Sequence, residues 1–226
     1  MDKQLPRELR VQQGSDTWLK IRSGFITPSR FKTVVTGKAR GLNSYLRELR
    51  SGEPKTINGP VAALEWGKYH ETEALNQLRV IERDNFQPAG FFVHPTLSCV
   101  GGSPDAVVRA SLSDKVMGGA EIKCPYNSHV HEETIFCGCP NNHYFQIQGY
   151  LWLLDAPWWK FVSYDPRQAI ASKRVFIQHI PRDEVLIDQI RHRVSWFHDV
   201  LRSGAEVPDD FDSKPALDWK PLPRFF

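Results

Sequence analysis

The sequence predicts an α/β domain with a mixed β-sheet flanked by helices. Three observations predict it. Residues 15 to 83 carry helical spacing, residues 89 to 125 switch to short apolar runs cut by Pro and Gly, and the remainder alternates helix, two strands and a long helix. A chain of 226 residues is most simply one domain. Its expected parts are an N-terminal helical part to about residue 85, a sheet core over 86–180, and a C-terminal helix and tail over 181–226. At this size roughly 70% of the unfolded surface is buried, so neither a disulfide nor a metal is needed to hold the core.

The elements follow in order. "SDTWLKIRSG" is a short helix capped by Ser15 or Asp16 and stopped near Gly24. In "ITPSRFKTVVTG", Thr27 is placed to cap, Pro28 suits the first helical position, and Phe31, Val34 and Val35 form a buried stripe. "LNSYLRELRSG" is another short helix, and "GPVAALEWGKYHETEALNQLRVIER" the longest early one, carrying Glu65, Glu71 and Glu73. "AGFFVHP", "LSCVGG", "DAVVRA" and "GAEIKCP" read as strands. "NNHYFQIQGYLWLLD" returns to helical spacing, "WWKFVSYDP" and "KRVFIQHI" are strands, and "RDEVLIDQIRHRVSWFHDVLRSG" is an amphipathic helix. The last 20 or so residues, rich in Pro and Asp, are expected to wrap the surface.

Composition narrows the partners. A net charge of +3 is too mild to establish nucleic-acid binding by itself, and the 29 Lys and Arg residues are scattered, so any phosphate-tracking groove must come from folding. Four cysteines and a charged N-terminus without an apolar h-region lead to the expectation of free thiols in the cytosol. No run approaches the ~18 apolar residues of a membrane span.

The chemistry concentrates in "GGSPDAVVRASLSDKVMGGAEIKCP". Asp105 follows a Ser-Pro turn, 16 residues before Glu121, and Lys123 lies two beyond that. Strand alternation puts Glu121 and Lys123 on one face, with Ala120 and Ile122 facing the core. A hairpin across "RASLSDKVMGG" would bring Asp105 to Glu121. Two carboxylates in contact repel unless protonated or bridged by a cation, and hard oxygen ligands suit Mg²⁺ or Mn²⁺. The bland alternative is an exposed strand edge with a Glu–Lys pair.

The blocks "WLKIRSGFITPS", "EWGKYHETEA", "SPDAVV", "EIKCP" and "QIQGYLW", then "YDPR", stand in one order over about residues 15 to 167. In them the chain resembles the phage lambda exonuclease family, viral-type alkaline exonucleases used in recombination. That family lies within the PD-(D/E)xK restriction-endonuclease-like superfamily. The resemblance implies a restriction-endonuclease-like core and a Mg²⁺-dependent (or Mn²⁺-dependent) 5′→3′ exonuclease holding two ions. It makes Asp105, Glu121, the Ile122 carbonyl and Glu71 the metal site, Lys123 the catalytic lysine, and Gln146 a further active-site residue. His143 stands where the family usually has tyrosine, with Tyr144 beside it as a weaker DNA-contact candidate. Arg22 and Ser29 match positions that hold the 5′-terminal phosphate. A basic residue of "TGKARG" is expected on DNA; Arg40 is the nominee, with Lys38 close by. The resemblance further implies double-stranded DNA ends as substrate, a homotrimeric ring, a single-strand annealing partner, no membrane, and a cytoplasmic protein encoded by a phage or prophage in a bacterial host.

The residues support some of this independently. A helix opening at Thr27-Pro28-Ser29 offers unpaired N–H groups to an anion, with Arg22 close by as a bidentate donor. Trp66, on the same helix as Glu71, is the tryptophan nominated for DNA contact; Trp152, Trp158, Trp159 and Trp196 are expected in packing. Two readings compete. One is an endonuclease on the same core. The other is a non-catalytic, zinc-stabilised DNA-binding module built on Cys124, His129, His131, Cys137, Cys139 and His143, gathered within 20 residues but without the paired C-x2–4-C spacing of structural zinc.

Overall fold

The computed structural model describes residues 5–54 and 60–211. In chain order these form β1 (Arg7–Leu9), α1 (Asp16–Ser23), α2 (Phe31–Thr36), α3 (Ala39–Ser51), α4 (Val61–Glu82), β2 (Gln87–Pro88), β3 (Phe91–Val93), β4 (Gly101–Gly102), β5 (Ala106–Arg109), β6 (Val116–Lys123), α5 (Ser128–Cys137), α6 (Asn141–Leu154), β7 (Trp158–Tyr164), β8 (Val175–Pro181) and α7 (Glu184–Ser203). The architecture is mixed α/β, as the pattern predicts. The expected single sheet is instead two: β1-β3-β4, and the main sheet β2-β5-β6-β7-β8.

The main sheet is mixed because β6 and β7 run parallel, joined by a crossover through α5 and α6, while its other pairings are antiparallel. The central strand β6 is covered on both faces. On one side Ala120 and Ile122 pack with Ala74, Leu75 and Leu78 of α4. On the other, α6 and the helices behind it supply Phe145, Ile147, Tyr150 and Leu151, with Phe31 and Val34 of α2, Leu46 of α3 and Ile190 of α7. Double coverage explains why β6 reads as small and apolar residues rather than as a strict alternation.

Two short glycine approaches seat the N-terminal turn on this core. A Cβ at Gly149 would lie 2.5 Å from the Phe31 ring, and one at Gly102 2.7 Å from Cδ of Pro28. Residues 27–31 therefore lie directly on α6 and the start of the "SPD" segment. Here the sequence expectation needs correction. The "TPSR" stretch is a single 3-10 turn, Pro28–Arg30, and α2 begins only at Phe31.

The segment "SHVHEETIFC" has no helix assigned from its spacing, and it ends at Cys137 in a helix while Cys139 lies in the loop beyond. This helix is α5, capped by the Asn127 side chain, which accepts from the His129 N–H at 3.0 Å. Of the C-terminal tail, residues 205–211 run back over α3. The Asn43 amide donates to the Val207 carbonyl and accepts its N–H, and Arg50 donates to the Ala205 carbonyl. The rest of the tail lies outside the described residues.

Candidate active site

The β5–β6 hairpin pairs Ala106 with Ala120, which sets Asp105 beside Glu121. Oδ2 of Asp105 accepts the Ile122 N–H at 2.6 Å. Glu121 and Lys123 share a face, and Lys123 Nζ lies 2.5 Å from Oε1 of Glu121. This is no exposed strand edge: the Glu121 side chain is 1% exposed, against 34% for Lys123. Oε2 of Glu121 has no hydrogen-bond partner among the described residues.

Burial, reinforced by the charge of Asp105, pushes the Glu121 carboxyl above its ordinary range, and Lys123 only partly opposes this. Burial alone would lower the Lys123 ammonium; Glu121 and Asp105 outweigh it and hold the amine charged. Glu71, on α4, is pushed up to about 7 by burial and then by Asp105, with Lys123 opposing. A buried carboxylate with an unmatched oxygen, a second carboxylate beside it and a third within electrostatic reach fits a hard divalent cation. Among the described residues no three His, Cys, Asp or Glu side chains close into a cage. Mg²⁺ does not need one, because it keeps several waters.

The same cleft, about 370 Å³, extends from Asp105, Glu121 and Lys123 to Arg22 and Ser29. Arg22, on α1, donates to Ser29 Oγ at 2.9 Å and lies over the Trp18 ring at 5.4 Å. The Thr27 and Ser29 hydroxyls are 3.0 Å apart, and Thr27 makes no side-chain cap. With Pro28 lacking an N–H and only one 3-10 turn present, an anion here would meet side-chain donors rather than a helix dipole. Trp18 donates its indole N–H to Ser103 Oγ at 2.8 Å, tying α1 to the "SPD" turn.

This arrangement has relatives. The family model of the YqaJ-like viral recombinase domain matches residues 17–156, more than half of the chain. The chain belongs to that family. The alkaline exonuclease LHK-Exo from Laribacter hongkongensis is 32% identical, with a TM-score of 0.72 over 84% of this chain and 94% of that one. The same enzyme in complex with dAMP gives 30% identity and a TM-score of 0.73, with the same coverage. A phage-related exonuclease from Haemophilus somnus 129PT shares the fold at 17% identity, with a TM-score of 0.56 over 80% of this chain and 96% of that one. No curated protein matches the chain significantly. Among the described residues no helix is long and apolar enough to cross a membrane.

In this YqaJ-like domain, α6 divides its polar residues between two tasks. His143 and Gln146 line the cleft. Burial and then Lys123 lower His143 to about 4, so its ring is neutral at ordinary pH. Tyr144 points elsewhere: it is buried, with its hydroxyl donating to Asp183 at 3.3 Å. Gln148 donates to the Pro181 carbonyl and accepts the Asp183 N–H, locking α6 to the start of α7.

Other nominees also fall outside the cleft. Lys38 and Arg40 sit exposed at the start of α3 and do not line it. Trp66 is half-buried, with the Arg167 guanidinium 4.2 Å over its ring and the His70 ring at 4.1 Å. The zinc arrangement is not formed. His131 bonds Ser163 and the Lys173 carbonyl, Cys137 is exposed at the end of α5, and His143 faces the cleft.

Sequence reasoning missed Gln13, Trp18, Ser103, Asn142 and Tyr150, all lining the cleft. Gln13 donates to Asp105 Oδ1 at 3.5 Å, and Tyr150 donates to the Ser103 carbonyl at 2.7 Å. A signal for two of them was available: Ser103 adjoins the Pro104-Asp105 pair, and Trp18 lies four residues before Arg22 on one helix.

Proposed function

We propose that this nuclease is a Mg²⁺-dependent 5′→3′ exonuclease. It digests the 5′-phosphorylated strand of linear double-stranded DNA and leaves 3′ single-stranded tails for recombination. One observation carries the reading: a single cleft joins the Asp105–Glu121–Lys123 cluster to the Arg22–Ser29 pair. The similarity to LHK-Exo, a structure of which holds dAMP, supports it, because a deoxynucleoside monophosphate is the product class this mechanism requires.

Asp105, Glu121 and the Ile122 carbonyl would hold Mg²⁺ or Mn²⁺, with Glu71 helping to bind a second ion or its waters. When bound, the metal supplies a Lewis acid for the phosphodiester and acidifies its water. Lys123, kept charged by two carboxylates, orients the attacking water and offsets charge developing on the phosphate. Gln146 positions the phosphate from α6. Arg22 and Ser29 grip the terminal 5′-phosphate, so hydrolysis begins at that end and the strand polarity follows.

The same reading includes a homotrimeric ring around the duplex, an annealing protein loaded on the exposed tail, and action in the cytoplasm of a bacterial host. Sedimentation of the purified chain tests the trimer. For the activity itself, a linear duplex labelled separately at each 5′ end is incubated with and without Mg²⁺, beside a covalently closed circle. Mononucleotide release from both 5′ ends only with Mg²⁺, and an intact circle, is expected. Cutting of the circle would favour the endonuclease reading, and release from 3′ ends would overturn the polarity.

A further inference from the structure

The "YDPR" segment has no part in the chemistry just described, yet it makes a dense set of directed contacts. Asp165 follows β7, whose last pairing with β6 sets Ser163 opposite Lys123, so Asp165 lies at the end of the sheet where β6 exits. Its carboxylate has no accessible surface. It accepts four hydrogen bonds: from the Arg167 backbone N–H at 3.0 Å, from Arg167 Nε at 2.8 Å and Nη2 at 3.1 Å, and from Ser128 Oγ at 2.6 Å.

The rest of the guanidinium turns outward from this pair. Nη1 donates to the Tyr126 carbonyl at 2.9 Å and Nη2 to the Pro125 carbonyl at 3.2 Å, so Arg167 holds the backbone two and three residues past Lys123. Its planar face covers Trp66 of α4 at 4.2 Å. Trp66 contacts His70, the residue before Glu71. One side chain thus touches the exit of β6, the first residue of α5 through Asp165, and the helix that carries Glu71.

We propose that Arg167 is a positioning residue for the metal site: its fork and face set α4 against the end of β6, and so place Glu71 relative to Asp105 and Glu121. This rests on the exonuclease reading above. Arg167 touches no reacting atom. Lysine would keep the charge but lose both the fork and the planar stack, so Arg167→Lys should not rescue the function. Partners that orient metal ligands cost 10- to 100-fold in metal affinity or activity when removed.

The test uses Mn²⁺ as probe, with its binding followed by electron paramagnetic resonance in wild type, Arg167→Lys and Trp66→Leu, alongside circular dichroism and thermal melting. In both variants Mn²⁺ affinity should fall about tenfold while the fold persists. Combining either with Glu71→Gln should add little further loss, because the two changes act through one group. Affinity equal to wild type in folded Arg167→Lys overturns the proposal, as does full additivity with Glu71→Gln. Should Arg167→Lys fail to fold, Trp66→Leu decides by the same criteria. Wild-type digestion of labelled duplex is run in parallel. If the wild type digests DNA but the variants bind Mn²⁺ normally, this inference alone fails; if the wild type shows no metal-dependent digestion, the reading beneath it fails.

Discussion

Glu121 and Asp165 are both carboxylates beside a cation at the same end of the main sheet, and neither is more than 1% exposed. Their electrostatics are opposite. For Asp165, burial works to raise the carboxyl, but the hydrogen bonds from Arg167 and Ser128 outweigh it and hold the group down at about 2. Glu121 has Lys123 beside one oxygen and, among the described residues, no partner on the other, so burial and Asp105 drive it up. Equal burial therefore separates two uses. A carboxylate with its lone pairs satisfied is structural material, whereas one left short of partners beside another carboxylate has capacity for a cation.

The sharpest way to break that contrast is to neutralise each carboxylate in turn. Glu121→Gln is expected to cut digestion of linear duplex by about 10²–10³-fold, the scale of losing one preorganised electrostatic group. Its melting temperature in metal-free buffer should equal or exceed wild type, because burial and Asp105 disfavour the charged carboxyl that the neutral amide replaces. Asp165→Asn should do the reverse, destabilising the fold by about 2–3 kcal/mol in urea titration. Breaking a buried pair usually costs more, but the Arg167 side chain here is 39% exposed and partly screened.

A smaller effect sharpens the other end of the cleft. Arg22→Ala should lower the preference for 5′-phosphorylated over 5′-hydroxyl ends about 10- to 100-fold, as expected for a lost charged hydrogen bond. An unchanged ratio in matched digests would remove Arg22 from phosphate recognition.

The smallest effect concerns Glu71. A carboxyl raised from 4.5 to about 7 on folding stabilises the fold in its protonated form. That contribution is present below about pH 4.5 and lost as the pH rises through 7. In EDTA, Glu71→Gln should therefore melt increasingly above wild type between pH 5 and 8, and added Mg²⁺ should narrow the gap. Parallel melting curves across that range would contradict the assignment.

Much of this was legible because it is local. The helices from Asp16 to Glu82 announce themselves by apolar spacing and end signals, and the hairpin that joins Asp105 to Glu121 follows from strand alternation across one turn. The rest was hidden by distance or by competing patterns. In α5, the Cys and His residues drew attention as possible ligands and masked a helix whose apolar residues form no continuous stripe. The strands β1 and β2, three and two residues long, carry too few positions for any periodicity.

Lining residues such as Gln13 and Asn142 come from segments 129 positions apart, and no spacing rule connects them. The surroundings of Trp66 were hidden for the same reason. Nothing in its own helix says that Arg167, about a hundred residues later, lies on its ring.

The central claim is that Glu121, buried beside Asp105 with one oxygen unpartnered among the described residues, holds a divalent ion. Calorimetric titration of Mg²⁺ into metal-free protein near pH 7, in two buffers of different protonation enthalpy, tests it most directly. The account predicts binding accompanied by proton release in the wild type, with both lost in Glu121→Gln. Mg²⁺ binding of equal affinity in the two proteins, with no proton released, would contradict it.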